Sequence, residues 1–74
     1  MAVDYKRLGR RLRENRRRLN MTQATLAEMT EMSDTYISRI ERGVKKASLE
    51  SLVKITTVLH ISLDVLLFDD EIAK

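Results

Sequence analysis

Asp34, Thr35, Ser38 and Arg39 recur at the spacing that brings side chains to one face of an α-helix, opposite Ile37 and Ile40. Their types suit the edges of nucleobases. The Arg39 guanidinium can fork onto guanine O6 and N7, the Asp34 carboxylate can accept from cytosine N4–H, and Thr35 can offer its methyl to thymine. A good bidentate contact of this kind contributes about 1–3 kcal/mol of discrimination. Ordinary readings stand beside these: Arg39 as a solvated helix charge, and Asp34 as an acid that complements the dipole of a helix N-terminus. Groups suited to phosphate surround this face. Gln23 stands at the start of a second helical pattern, where free backbone N–H groups attract an anion, and Thr22 before it can cap the helix and donate to the same oxygen. Arg42, Lys45 and Lys46 follow Arg39, and are either phosphate clamps without sequence information or solvated loop charges. Arg17 can meet phosphate or complement a helix C-terminus, and the Tyr36 phenol can reach a sugar-phosphate backbone or pack beside the turn.

Five helices are needed to position these groups. Asp4, Thr22, Ser33, Ser48 and Ser62 each precede an apolar helical pattern and can accept from an unpaired N–H of a first turn. The patterns predict helices near 4–18, 22–29, 33–42, 48–59 and 62–68. No Pro occurs and no segment alternates with a strand period, so an all-α fold is expected. The expected core draws on Leu8, Leu12 and Leu19 (interrupted by Asn15), Leu26, Ala27 and Met29, then Ile37 and Ile40. Leu49, Leu52, Ile55, Leu59, Leu66 and Leu67 complete it. Asn20 and Gly43 suit left-handed turns at helix ends. Met21, Met29 and Met32 are read as apolar gap-fillers around the two middle helices.

The 74 residues are expected to form one domain, with its core over 8–68 and a short acidic tail at 69–74. Residues 1–46 carry twelve Lys/Arg against six Asp/Glu, whereas 47–74 carry two against five. The basic pole suits a polyanion, or serves simply to keep the protein soluble. Helix 1 holds eight of the fourteen cations, distributed around its circumference, so they cannot all face one ligand. Most are read as solvated surface and long-range field.

Several chemistries find no support. The absence of Cys excludes disulfides and Cys-based zinc sites and fits a reducing, cytoplasmic setting. There is no signal-peptide h-region, and the longest unbroken aliphatic or aromatic run, at 65–68, is far too short to span a membrane. His60 is the single His and is read as a surface residue in a turn. Ser33, Ser38 and Ser48 have no evident base partner, and no Gly-rich phosphate loop is present. Neither an enzyme, nor a cofactor, nor a metal, nor a small-molecule substrate is expected. Tyr5, Tyr36 and Phe68 are too few and scattered for a single-strand stacking platform.

The spaced set Gln23, Leu26, Ala27, Ile37, Ser38, Glu41 and Gly43, continued by SLESLVKITTVLHISLDVLL, resembles the Cro/C1 repressor-type, or Xre-like, helix-turn-helix family. The resemblance covers about 8–68 and implies a lambda-repressor-like five-helix fold with the second and third helices as the helix-turn-helix. It further implies that Asp34, Thr35, Ser38 and Arg39 meet base edges, that Gln23 buttresses the recognition helix, and that Arg16 pairs with Glu41 as a structural tie. The chain departs from the family pattern at Thr30, where an apolar residue is usual, at Glu31 and His60, where Gly is frequent, and at Ala47, where Pro is frequent. Glu31 should therefore strain its turn or change the turn's geometry.

These readings lead to a sequence-specific regulator that binds double-stranded DNA, expected as a repressor in a prokaryote, phage or mobile element. A homodimer on a palindromic operator is expected, because one helix-turn-helix contacts few base pairs. Val65, Phe68 and Ile72 offer an apolar seam for it, or else close the core of helix 5. The rival is an antitoxin-like or adaptor module that uses the same fold to bind a protein partner, for which the acidic tail would be suited.

Overall fold

A computed structural model describes residues 2–68. Among these lie five α-helices and no strand: α1 (Tyr5–Arg18), α2 (Gln23–Thr30), α3 (Asp34–Glu41), α4 (Leu49–Leu59) and α5 (Leu63–Leu67). Side chains fix most of the helix starts. Asp4 accepts from the N–H groups of Lys6 and Arg7 (both 3.1 Å), Thr22 from Thr25 (3.0 Å), Ser33 from Tyr36 (3.0 Å) and Ser48 from Ser51 (3.1 Å). Each of these bonds satisfies a donor that a first turn leaves without an intrahelical partner. Ser62 occupies the equivalent place before α5 with extended backbone, but makes no side-chain capping bond.

The ends of α1 to α4 share one device. Asn20, Glu31, Gly43 and His60 all have positive φ, at 55°, 59°, 75° and 56°. The residue after each donates to the carbonyl five positions back: Met21 to Arg16, Met32 to Ala27, Val44 to Arg39 and Ile61 to Thr56. This is the Schellman closure, which pairs carbonyls that the last helical turn leaves open. Its usual apolar follower is present in all four cases, and Met21, Met32 and Ile61 pack against the core. The turn between α2 and α3 thus keeps left-handed geometry with Glu31 in it, and the departure from Gly is absorbed as backbone strain.

Leu8 and Leu12 of α1, Leu26 and Ala27 of α2, Ile37 and Ile40 of α3, Leu52, Ile55 and Leu59 of α4, and Leu66 of α5 form the buried core. Of the expected members, Leu67 is half-buried against this core and three are exposed. Leu19 is 42% exposed, Met29 54% and Leu49 67%. Leu19 follows the last residue of α1 and Leu49 is the first of α4, and Met29 lines an open depression with Val53, Lys54, Thr57 and Val58 of α4. The stripe on α1 runs instead through Leu8, Gly9, Leu12 and Arg16, so a charged residue takes the place assigned to Leu19. Thr30 and Thr56 are also buried, and their hydroxyls donate back to the carbonyls of Leu26 (2.7 Å) and Leu52 (2.9 Å). Thr30 therefore fills an apolar position without leaving its hydroxyl unpaired.

The α1–α3 contact is close because residue 9 is Gly. A Cβ there would lie 2.3 Å from the Ile40 carbonyl oxygen and 2.5 Å from that of Glu41. Helix α5 is fastened to α1 by the Arg11 guanidinium, whose Nη1 donates to the Leu66 carbonyl at 3.2 Å. Val65 is exposed and Phe68 half-buried. Ile72 and the acidic tail lie outside the described residues. Among the described residues, no helix is long and apolar enough to cross a membrane.

Candidate functional site

Helix α3 is anchored by one face and open on the other. Ile37 and Ile40 are buried in the core, while Asp34, Thr35 and Arg39 are exposed and Ser38 is half-buried. The eight-residue helix starts from the Ser33 cap and ends at Arg42, so its position depends on what braces it from behind. The main brace is Glu41. Its carboxylate accepts from Arg16 Nε at 2.6 Å, from Arg16 Nη2 at 3.0 Å and from Gln23 Nε2 at 3.0 Å. Arg16 Nη1 donates in turn to the Met21 carbonyl at 2.6 Å. Three helices are thereby joined through one carboxylate: α1 by Arg16, α2 by Gln23 and α3 by Glu41.

The pairing is buried, with side-chain exposures of 8% for Arg16 and 2% for Glu41. A charge pair so placed needs every donor and lone pair answered to offset its desolvation. Gln23 completes that set on the carboxylate. Its amide nitrogen must face Glu41, because an amide oxygen would meet another acceptor. One of its two N–H groups then remains for a ligand.

Gln23 also borders an open depression with Arg16, Arg17, Asn20, Met21, Thr22, Ala24 and Asp34. Here α2 begins, and Thr22 caps the N–H of Thr25, two positions beyond Gln23 and one beyond Ala24. The N–H groups of Gln23 and Ala24 belong to the first turn, which has no earlier helical carbonyls to bond. Together with the exposed Arg17, they make a setting for an anion. The Asp34 carboxylate at the rim opposes it.

On the other side of α3, Arg42, Lys45 and Lys46 are exposed in and beside the connection to α4. Lys46 Nζ lies 5.7 Å from the centroid of the Tyr5 ring, which holds that end of the connection against the start of α1. Gly43 is equally close to α1, since a Cβ on it would come within 2.7 Å of Lys6 Cα. Of the two places expected for Tyr36, the structure shows the packed one. The residue is half-buried against the core, and its hydroxyl donates to Ser51 Oγ at 3.1 Å, so it links α3 to α4.

Sequence reasoning passed over Gly9, Arg11 and Ser51. An isolated Gly within a helical pattern is a signal of close approach that was available for Gly9. Nothing in the local sequence separates Arg11 from its seven cationic neighbours on α1, because its partner is a carbonyl 55 positions away.

The helix-turn-helix family model matches residues 12–66, from within α1 to α5. The chain belongs to the Cro/C1-type helix-turn-helix family. Over 67 residues it is 33% identical to the HTH-type transcriptional regulator ImmR of Bacillus subtilis (strain 168), covering 90% of this chain and 53% of that relative. The chain thus spans about half the length of that relative. Among solved structures, it resembles the restriction-modification controller protein C.AhdI from Aeromonas hydrophila with a TM-score of 0.82 and 35% identity, over 85% of this chain and 96% of that one. It also resembles the P22 c2 repressor in complex with synthetic operator 9T, with a TM-score of 0.77 and 35% identity, over 81% and 91% of the two chains. In this helix-turn-helix frame, α2 and α3 are the paired helices and α1, α4 and α5 hold them.

Proposed function

We propose that this helix-turn-helix chain is a sequence-specific regulator of transcription that binds double-stranded DNA and acts as a repressor. The observation that carries the reading is the braced but open face of α3. Asp34, Thr35 and Arg39 are exposed on a short helix held by Arg16, Glu41 and Gln23. A rigid helix with mixed polar groups outward is what direct readout of a major groove needs. The likeness to an operator-bound repressor supports the same reading. Arg39 is assigned to guanine, with Asp34, Thr35 and Ser38 as the other base-facing groups. Thr22, Gln23, Arg17, Arg42, Lys45 and Lys46 contact phosphate on either side.

The chain acts as a homodimer, so that two α3 helices meet half-sites about 34 Å apart on a palindrome. Val65 supports this as an exposed apolar residue on α5, on the far side of α1 from the Gly9 contact with α3. An adaptor that bound only proteins would have no use for a cluster of exposed cations at the C-terminal end of α3, where Arg39, Arg42, Lys45 and Lys46 are all exposed.

The decisive experiment is selection from a randomised duplex library at fixed salt, read by sequencing. A two-fold symmetric enriched motif is the expected result. Enrichment no better than background would overturn the reading.

A further inference from the structure

The cations of α1 are not spread evenly with respect to α3. Lys6, Arg10, Arg13 and Arg17 follow one another at intervals of four, three and four residues, which places them on one narrow strip of a 3.6-residue helix. All four are exposed. Arg16 and Gly9, on the α3 side of α1, flank this strip, because Gly9 abuts the Ile40 and Glu41 carbonyls and Arg16 pairs with Glu41. Lys6, Arg10 and Arg13 accordingly line a surface groove together with Asp4, Arg7 and Glu41, the last residue of α3. Arg17 lines the depression at the start of α2. At the opposite end, Lys6 lies against Gly43, beside Arg42, Lys45 and Lys46.

The strip therefore runs between the two groups already assigned to phosphate, and closes them into one cationic edge. Two acids lie in the groove. Glu41 is neutralised by Arg16, and Asp4 caps α1 and lies 3.7 Å from Arg7. Neither opposes Arg10 or Arg13. The eleven helical rises from Lys6 to Arg17 extend about 16 Å. One strand of a duplex presents a phosphate for roughly each 3.4 Å of axis, so the strip is long enough to meet several.

We infer that Lys6, Arg10 and Arg13, continuous with Arg17, form a second phosphate track along α1, which grips the duplex backbone outside the groove that α3 reads. This rests on the DNA-binding reading above and extends it to residues with no role in base readout. The track contributes affinity and salt dependence without sequence preference.

The test compares the salt dependence of binding to a mixed-sequence duplex of about 30 base pairs, roughly three helical turns. Arg10→Gln combined with Arg13→Gln should flatten the slope of log K against log salt by about 1.8 for each bound protomer, or 0.9 for each lost contact. Lys54→Glu makes the same change in net charge on the exposed side of α4 and should leave the slope as in the wild type. Arg10→Lys with Arg13→Lys keeps both charges and should retain the wild-type slope. Thermal melting of each variant by circular dichroism confirms that the fold is kept. Equal slopes for the wild type and the double Gln variant would overturn the track while leaving DNA binding intact. Equal flattening by Lys54→Glu would also overturn it, since net charge alone would then account for the effect. A wild-type protein that fails to bind the duplex even at low salt would overturn both readings together.

Discussion

At the scale of single residues, Glu41 carries the greatest structural burden, because its carboxylate is buried and accepts from Arg16 twice and from Gln23 once. Removing either member of such a pair leaves an uncompensated buried charge, at a cost of about 3–5 kcal/mol. Glu41→Ala and Arg16→Met should each lower the unfolding free energy in urea by about that amount. The double variant should lose less than the sum, because the second substitution removes the stranded charge. For DNA, the sharpest contrast lies between Arg39 and Lys45. Arg39→Ala should relax the preference at a single base position, whereas Lys45→Ala should weaken all sequences alike and reduce the salt slope by about one contact. Identical behaviour of the two variants would dismiss the division into reader and clamp.

At the scale of elements, helix ends depend on local chemistry and helix faces depend on neighbours. The caps at Asp4, Thr22, Ser33 and Ser48 act within three residues, so sequence alone locates them. The left-handed turns at Asn20 and Gly43 are legible for the same reason. Glu31 and His60 adopt that backbone without a side chain that favours it, and only resemblance to Gly-bearing relatives marks their places. Left-handed backbone costs an ordinary residue about 1–2 kcal/mol, and Gly itself loses about 0.5–1 kcal/mol in chain entropy. Glu31→Gly and His60→Gly should therefore each raise stability modestly, by about 0.5–1 kcal/mol in urea or thermal unfolding. Gly9→Ala should do the reverse. Its methyl would meet two backbone carbonyls of α3, which can recede only by moving that helix. A loss of about 1–3 kcal/mol is expected, together with weaker operator binding.

At the scale of the whole molecule, the basic strip on α1 and the apolar Val65 on α5 belong to different sides of α1, one toward α3 and one away from it. Dimerisation and backbone binding can then proceed without competing for the same surface. If α5 provides the seam, Val65→Glu should shift the protein toward monomer in sedimentation equilibrium and weaken palindrome binding more than half-site binding. An unchanged association constant would place the dimer surface elsewhere.

By itself the sequence determined what depends on nearest neighbours along the chain. Helix number and starts, and the stops at Asn20 and Gly43, follow from caps, turn residues and periodicity, and the outward set Asp34, Thr35, Ser38 and Arg39 follows from the 3.6-residue repeat about Ile37 and Ile40. Tertiary structure decided which apolar and charged positions of each helix are covered by another. It exposed Leu19, Met29 and Leu49, which periodicity alone assigns to the core, and buried Arg16 in the stripe on α1. It also sorted six of the eight similar cations of α1 into a buried brace, a fastener for α5 and a strip beside α3. Their charges are alike, and only the packing of α3 and α5 against α1 gives each of them a different surrounding.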